Sequence, residues 1–143
     1  MRTALVVLAV LLLAAPASAT RHTSAGLSVE VPSGWTVVHE QLSVCTNPIQ
    51  RLALRGHGAL VQIVERLGAA ELTGFPARPA RFVLRGPAQW VACCIPDERK
   101  DKGWFLSFRD GNRGFHAYVY LGRHGTRAEV LRILDSLMVR PRR

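Results

Sequence analysis

The stretch from Trp104 to Leu121 constrains this chain most. Two runs of β-favouring residues, 104–109 and 113–121, flank Asp110-Gly111-Asn112. Asp and Gly tolerate the positive φ that a tight turn demands, so the two runs are expected to pair as an antiparallel hairpin. In the second run Phe115, Ala117, Val119 and Leu121 share one face, and His116, Tyr118 and Tyr120 share the other. The period then changes. Thr126 is a good N-cap with Glu129 three residues on, a capping box, and Val130, Ile133, Leu134 and Leu137 recur at helical spacing. An amphipathic helix needs a surface to cover, and antiparallel sheet supplies one. The expected fold is α+β: a single layer of largely antiparallel sheet, with the C-terminal helix packed on one face.

The rest of the chain fits that frame. Residues 27–31 alternate apolar and polar, Pro32-Ser33-Gly34 is a turn, and residues 35–38 resume in β-favouring types. Residues 51–55 and 59–66 flank Gly56-His57-Gly58 and read as a second hairpin, its second strand apolar enough to lie mid-sheet. Residues 68–79 form a loop with one helical turn near 69–72. Residues 81–85 read as a strand with Phe82 and Leu84 on one face, and 89–95 as a further apolar piece. The mixed charges of 97–102 mark a solvated loop, and Met138-Val139 returns to an extended path.

The first nineteen residues have the layout of a secretory signal: Arg2, an unbroken apolar run over 4–15, and the small residues Ala17-Ser18-Ala19. The apolar run falls short of the roughly 20 residues that span a bilayer. The competing reading is an uncleaved signal anchor. Cleavage leaves residues 20–143 as a single secreted α+β domain and lowers the formal charge from +9 to +8 by removing Arg2. The expected location is therefore secreted or extracytoplasmic, at the cell envelope, with no transmembrane span after signal removal.

Export also governs the cysteines. In an oxidising compartment three cysteines imply one bridge and one spare thiol. A bond between adjacent Cys93 and Cys94 is strained, so Cys45 is expected to pair with Cys94, or else with Cys93. That bridge closes a loop of about 50 residues, worth on the order of 4 kcal/mol.

Chemistry-bearing motifs are scarce. The chain has no Gly-x-Ser-x-Gly elbow, no His-Glu-x-x-His, no phosphate loop and no dinucleotide fingerprint. Adjacent cysteines do not suit a zinc site, so no metal and no cofactor are expected. A thiolate–imidazole pair of Cys93 or Cys94 with His116 or His57 is one weak constellation, and its bland counterpart is a disulfide beside a surface histidine. A second is metal binding by His57, His116 and His124, whose unrelated spacings better suit turn and surface positions. The third is positive charge. All nineteen cationic residues except Lys100 and Lys102 are arginine, and Arg78, Arg81, Arg85, Arg123, Arg127, Arg132, Arg140, Arg142 and Arg143 gather in the loop and near the last helix. Arginine forks pair well with phosphate and carboxylate. Arg123, Arg127, Arg132 and Arg140 are the expected anion contacts, against a generally basic surface with no dedicated partner. The His116, Tyr118, Tyr120 face is a candidate contact face; the reading preferred to it is a second core layer under the loop over 75–81.

The opening residues Gly26-Leu27-Ser28-Val29-Glu30-Val31-Pro32-Ser33-Gly34-Trp35 resemble the strand–Pro–x–Gly–Trp start of PsbP-like domains. Residues 127–139 are similar to the last helix and strand of that family, and Phe108 to Arg113 to small uncharacterised secreted proteins of high-GC bacteria. The resemblance implies an antiparallel sheet flanked by helices and a role in binding or assembly rather than catalysis. The expected function is a secreted, non-catalytic binding or assembly domain of the cell envelope. Its partners would be anionic envelope components or another envelope protein; nucleic acid is disfavoured by export. The competing reading is a small extracytoplasmic enzyme with a loop site near Cys93, His116 and Trp104.

Overall fold

The computed structural model describes residues 19–38, 48–66, 68, 72–90 and 102–141. In chain order the elements are β1 (Thr20–Ser24), β2 (Leu27–Val31), β3 (Trp35–Val37), β4 (Pro48–Gly56), β5 (Ala59–Arg66), β6 (Gln89–Trp90), β7 (Lys102–Asp110), β8 (Arg113–Leu121), α1 (Arg127–Asp135) and β9 (Met138–Val139). Three two-residue turns organise them. Ala25 (φ 49°) with Gly26 (φ 76°), and His57 (φ 49°) with Gly58 (φ 75°), are left-handed at both central positions, as a type I′ hairpin requires. Between β7 and β8 only Gly111 (φ 59°) is left-handed, so this turn is of the II′ kind with glycine first, and Asp110 pairs with Arg113 across it.

The fold is α+β and mostly β, but its strands divide into two antiparallel sheets rather than one layer. One has the order β1-β2-β9 and the other β3-β4-β5-β8-β7-β6. The difference originates in β1. Thr20-Arg21-His22-Thr23-Ser24 has no apolar period to mark it as a strand, and β2 recruits it through the ladder from Thr20↔Val31 to Ser24↔Leu27. Hydrogen bonding across a turn therefore decides where side-chain pattern is silent.

The main core lies between α1, the three-stranded sheet and one face of the six-stranded sheet. Val130, Ile133, Leu134 and Leu137 meet Leu27, Val29 and Val31 from β2 and Val61, Ile63, Phe108, Phe115, Ala117 and Val119 from the larger sheet. As expected for a mid-sheet strand, β5 is buried on both sides. Leu60 and Val64 turn away from α1 and form a smaller cluster with Tyr118 and Tyr120.

Two local expectations are corrected. Thr126 caps α1, accepting from Glu129 N–H at 3.3 Å. The return half of the capping box does not form, because the Glu129 carboxylate instead accepts from His57 Nδ1–H at 2.8 Å. The turn of one hairpin is thereby fastened to the first turn of the helix. Residues 81–85 alternate as read, with Phe82 and Leu84 buried and Arg81, Val83 and Arg85 exposed, but they form no ladder. Their backbone is held from the helix. Phe82 N–H donates to Asp135 Oδ1 at 2.8 Å, and Arg127 donates to the carbonyls of Leu84 (3.4 Å) and Gly86 (3.3 Å). Alternation reports an extended chain with one buried face; it does not say which groups satisfy the backbone.

A buried ion pair within the six-stranded sheet, between β5 and β8, holds an arginine that also reaches the smaller sheet. Arg113 donates from Nε to Glu65 Oε1 and from Nη2 to Glu65 Oε2, both at 2.8 Å. Nη2 also reaches the Ala25 carbonyl (2.9 Å), and Nη1 reaches those of Arg140 (3.0 Å) and Gly26 (3.4 Å). The side chains of Arg113 and Glu65 are 3% and 1% exposed. A Cβ on Gly26 would stand 2.8 Å from Arg113 Nη1, so glycine there serves both its φ and this approach.

Glu65→Ala should leave the guanidinium buried and half-paired, lowering stability by about 3–5 kcal/mol in urea unfolding. The double variant Glu65→Leu/Arg113→Met should not regain the wild-type midpoint. It restores apolar packing but strips the Ala25 and Arg140 carbonyls of this donor, at about 1–3 kcal/mol for each one left buried, whereas the Gly26 carbonyl keeps the Arg140 N–H.

Candidate functional site

Two residues of β7 direct their backbone groups away from β8 and have no backbone partner there among the described residues. Along an antiparallel ladder, residues alternate between exchanging both hydrogen bonds with the neighbour and pointing them outward. Asp110 and Arg113 close the hairpin as a bonded pair, so Phe108, Leu106 and Trp104 bond β8, while Arg109, Phe105, Ser107 and Gly103 face outward. At one end Arg109 N–H donates to the Pro76 carbonyl and Arg78 N–H to the Arg109 carbonyl, each at 2.8 Å. At the other end Gly103 lies opposite Gln89 of β6. Phe105 and Ser107, between them, have no backbone partner on that side among the described residues.

The strap over residues 79–85 runs past this gap, and the two enclose a slot of about 260 Å³ lined by Pro79, Arg81, Phe82, Val83, Arg85, Phe105, Leu106 and Ser107. Phe82 and Leu106 pack toward the main core, whereas Val83 and Phe105 are among the most exposed large apolar side chains, at 54% and 47%. Arg81 and Arg85 flank Val83 on the outer side of the strap, and neither has an ion-pair partner among the described residues. Ligand pockets for cofactors and comparable small molecules usually run from roughly 300 to 1,000 Å³. This slot lies below that range and suits a short stretch of chain or one small group.

Ser107 connects the slot to the far face of the sheet. Its hydroxyl shares a hydrogen bond with His116 Nδ1 at 2.9 Å, across the Ser107↔His116 pair. The imidazole lies between Phe75 (ring centroids 4.7 Å apart) and Phe105 (4.6 Å). Burial lowers the His116 pKa to about 4, and the Arg66 guanidinium adds repulsion against the imidazolium. A serine–histidine contact invites a nucleophile–base reading, but the magnitudes oppose it. A general base works best with a pKa near the operating pH, and a nucleophilic pair needs a group that stabilises the imidazolium. Here the neighbours are two aromatic rings and a cation. The pair is a neutral, rigid wall.

The sequence-derived candidates separate in space. Tyr118 and Tyr120 are buried, at 5% and 3%, so the candidate contact face is an inner layer, with the Phe75 ring tilted against its half-buried histidine. Trp104 belongs to the opposite face from His116. Its Nε1–H donates to the Gly86 carbonyl at 3.2 Å and its ring carries Arg127 at 4.8 Å, so these residues do not assemble one site. Arg127 is a structural clamp over the strap. Arg123, Arg132 and Arg140 are exposed, and Arg140 lends its backbone carbonyl to Arg113 and its N–H to Gly26. His57 bonds Glu129 and His116 bonds Ser107; among the described residues no three His, Cys, Asp or Glu side chains gather as a metal site. Cys45, Cys93, Cys94, Arg142 and Arg143 lie outside the described residues, as do 97–101 and 69–71.

Arg81 and Arg85 were visible in the sequence only as members of a basic group. The signal that could have marked them is the alternation of 81–85 taken together with Pro76 and Pro79, since proline removes donors a ladder needs. No helix among the described residues is long and apolar enough to cross a membrane. Comparison with family models, curated proteins and solved structures returned no match for this chain.

Because the His116 pKa is lower folded than unfolded, the unfolded chain binds the extra proton. His116 therefore contributes its full stability above its ordinary value near 6.5 and loses it as pH falls toward 4. His116→Gln should flatten the decline of Tm across that window, measured as the difference between variant and wild type so that carboxylate effects cancel. Arg127→Lys keeps the charge but loses the fork and the stacking, and should lower stability by about 1 kcal/mol. Arg132→Lys should leave the unfolding midpoint unchanged.

Proposed function

We propose that this chain is a secreted, non-catalytic binding or assembly domain of the cell envelope, and that it engages its partner at the slot between the strap and β7. The observation that carries this reading is the pair of guanidinium groups of Arg81 and Arg85, which have no ion-pair partner among the described residues and stand on either side of exposed Val83 above an apolar wall. Cations beside exposed apolar surface suit a partner that offers both carboxylate or phosphate and hydrocarbon. The weak basicity of His116 supports binding over chemistry, since the serine beside the slot has no effective base. Export is supported by the signal-like layout of residues 1–19, with Arg2, the apolar run over 4–15 and Ala17-Ser18-Ala19. β1 starts at Thr20, directly after Ala17-Ser18-Ala19, so removal of residues 1–19 leaves every described element whole. The likeness of the opening strand and turn to PsbP-like domains points to the same class of role.

Site-specific photo-crosslinking tests the reading. With a benzophenone side chain at Val83, the chain expressed in its native envelope should give one discrete adduct, and Arg81→Glu/Arg85→Glu should abolish it. Discrete adducts from probes at Met138 or Arg123 with none at Val83 would overturn the assignment. Mass analysis of the exported chain should find Thr20 at its N-terminus.

A further inference from the structure

Resting on that reading, we infer that the slot takes an extended acidic segment of a partner protein as an added strand on the outer edge of β7. Three independent features of the slot agree on this occupant. The first is the backbone. Phe105 and Ser107 each present an N–H and a C=O into the gap between the Arg109 bridge and the Gly103 pairing. Four adjacent main-chain groups at strand spacing match the edge of another strand, and main-chain bonding is what gives strand addition its affinity. A lipid headgroup or a phosphate could accept from the two N–H groups, but it does not carry donors alternating with acceptors at strand spacing to meet the two carbonyls as well.

The second feature is the way the strap is built. Its own backbone is held by Asp135 and Arg127 from the helix, so it stands beside β7 without closing the ladder. Native proteins commonly shield a sheet edge with a loop or a charge. Here the described strap shields it at both ends, through Arg78 and β6, and leaves the middle accessible.

The third feature is charge and alternation. Arg81, Val83 and Arg85 point away from the core, on the side that Phe105 and Ser107 also occupy, while Phe82 and Leu106 lie toward the core. Successive side chains of an inserted strand would face these two environments in turn. Carboxylates on alternate residues would meet Arg81 and Arg85, and apolar residues between them would meet Phe82 and Leu106. The occupant is thus an alternating acidic–apolar segment of about four to five residues, the length that a gap of this span accommodates at roughly 3.3 Å per residue.

Fluorescence anisotropy with a labelled Glu-Val-Glu-Val-Glu peptide and the mature chain tests this. Saturable binding is expected, weakened about tenfold or more by Arg81→Glu/Arg85→Glu. The Lys-Val-Lys-Val-Lys peptide should not bind, and N-methylation of alternate peptide amides, which removes ladder donors without changing charge, should abolish binding in one of its two registers. The Phe105 and Ser107 amides should gain protection from hydrogen exchange in the complex. Absence of saturable binding by the acidic peptide, or equal binding of both N-methylated peptides, would overturn strand addition. So would occupation of the same residues by phosphatidylglycerol vesicles with no protection at Phe105 and Ser107. That last result leaves the binding-domain reading standing, whereas loss of the Val83 adduct removes the reading itself.

Discussion

The Arg113–Glu65 pair is the interaction on which the rest of this structure depends. Among the described residues the two sheets share no ladder, and the smaller one reaches the larger through packed side chains and the Arg113 guanidinium. All five guanidinium donors are spoken for by the two Glu65 oxygens and three carbonyls. Removing both charges from water costs several kcal/mol per ion, and the attraction offsets it only when geometry is good and the remaining donors are satisfied. Both conditions hold here. The carbonyls of Ala25 and Gly26 belong to a turn in which a non-glycine residue is left-handed, a conformation that persists when its surroundings over-determine it. Arg113 supplies that over-determination, and with it the position of β1, β2 and the end of β9.

With the small sheet fixed against one face, α1 is fixed as well, since its buried stripe packs on β2 and its C-cap is tied there. Ser136 Oγ accepts from Glu30 N–H at 2.9 Å and donates to the Ile133 carbonyl at 2.7 Å. The helix in turn dictates the strap, because Asp135 and Arg127 take the backbone groups that a neighbouring strand would otherwise take. An edge of β7 is left accessible as the consequence of a chain of constraints that begins at a buried charge. Each link is a satisfied polar group.

The elements that were legible in sequence are those with a strong side-chain period or a demanding turn. The β7–β8 hairpin, the apolar stripe of α1 and the β4–β5 hairpin follow from such signals. Where reading fell short, hydrogen bonding decided against side-chain pattern. β1 is a polar pentapeptide made into a strand by its partner. Residues 81–85 have a strand's alternation with their backbone committed elsewhere, and Glu129 sits at the capping-box position with its carboxylate committed to His57. The candidate site lies in that blind region. Arg81 and Arg85 could be seen as charges, but not as the flanks of a gap, because a gap is defined by bonds that neighbouring segments do not make.

The same reasoning separates binding from catalysis at Ser107. Catalysis asks for a base that gains from becoming charged in the transition state, and so for a carboxylate or polar partner on the far side of the imidazole. His116 has two aromatic rings packed against it and Arg66 nearby, an environment that resists charging. What that environment provides is rigidity. The imidazole, Phe105 and Tyr118 are packed in sequence, with Phe105 and Tyr118 centroids 5.0 Å apart, so the wall of the slot is set before any partner arrives. Association pays least for ordering when the receiving surface is already ordered. A preformed edge with fixed outward amides and flexible arginines at its rim combines low ordering cost with charge selection. Those are the properties that the proposed docking strand needs, and none of them requires the serine to react.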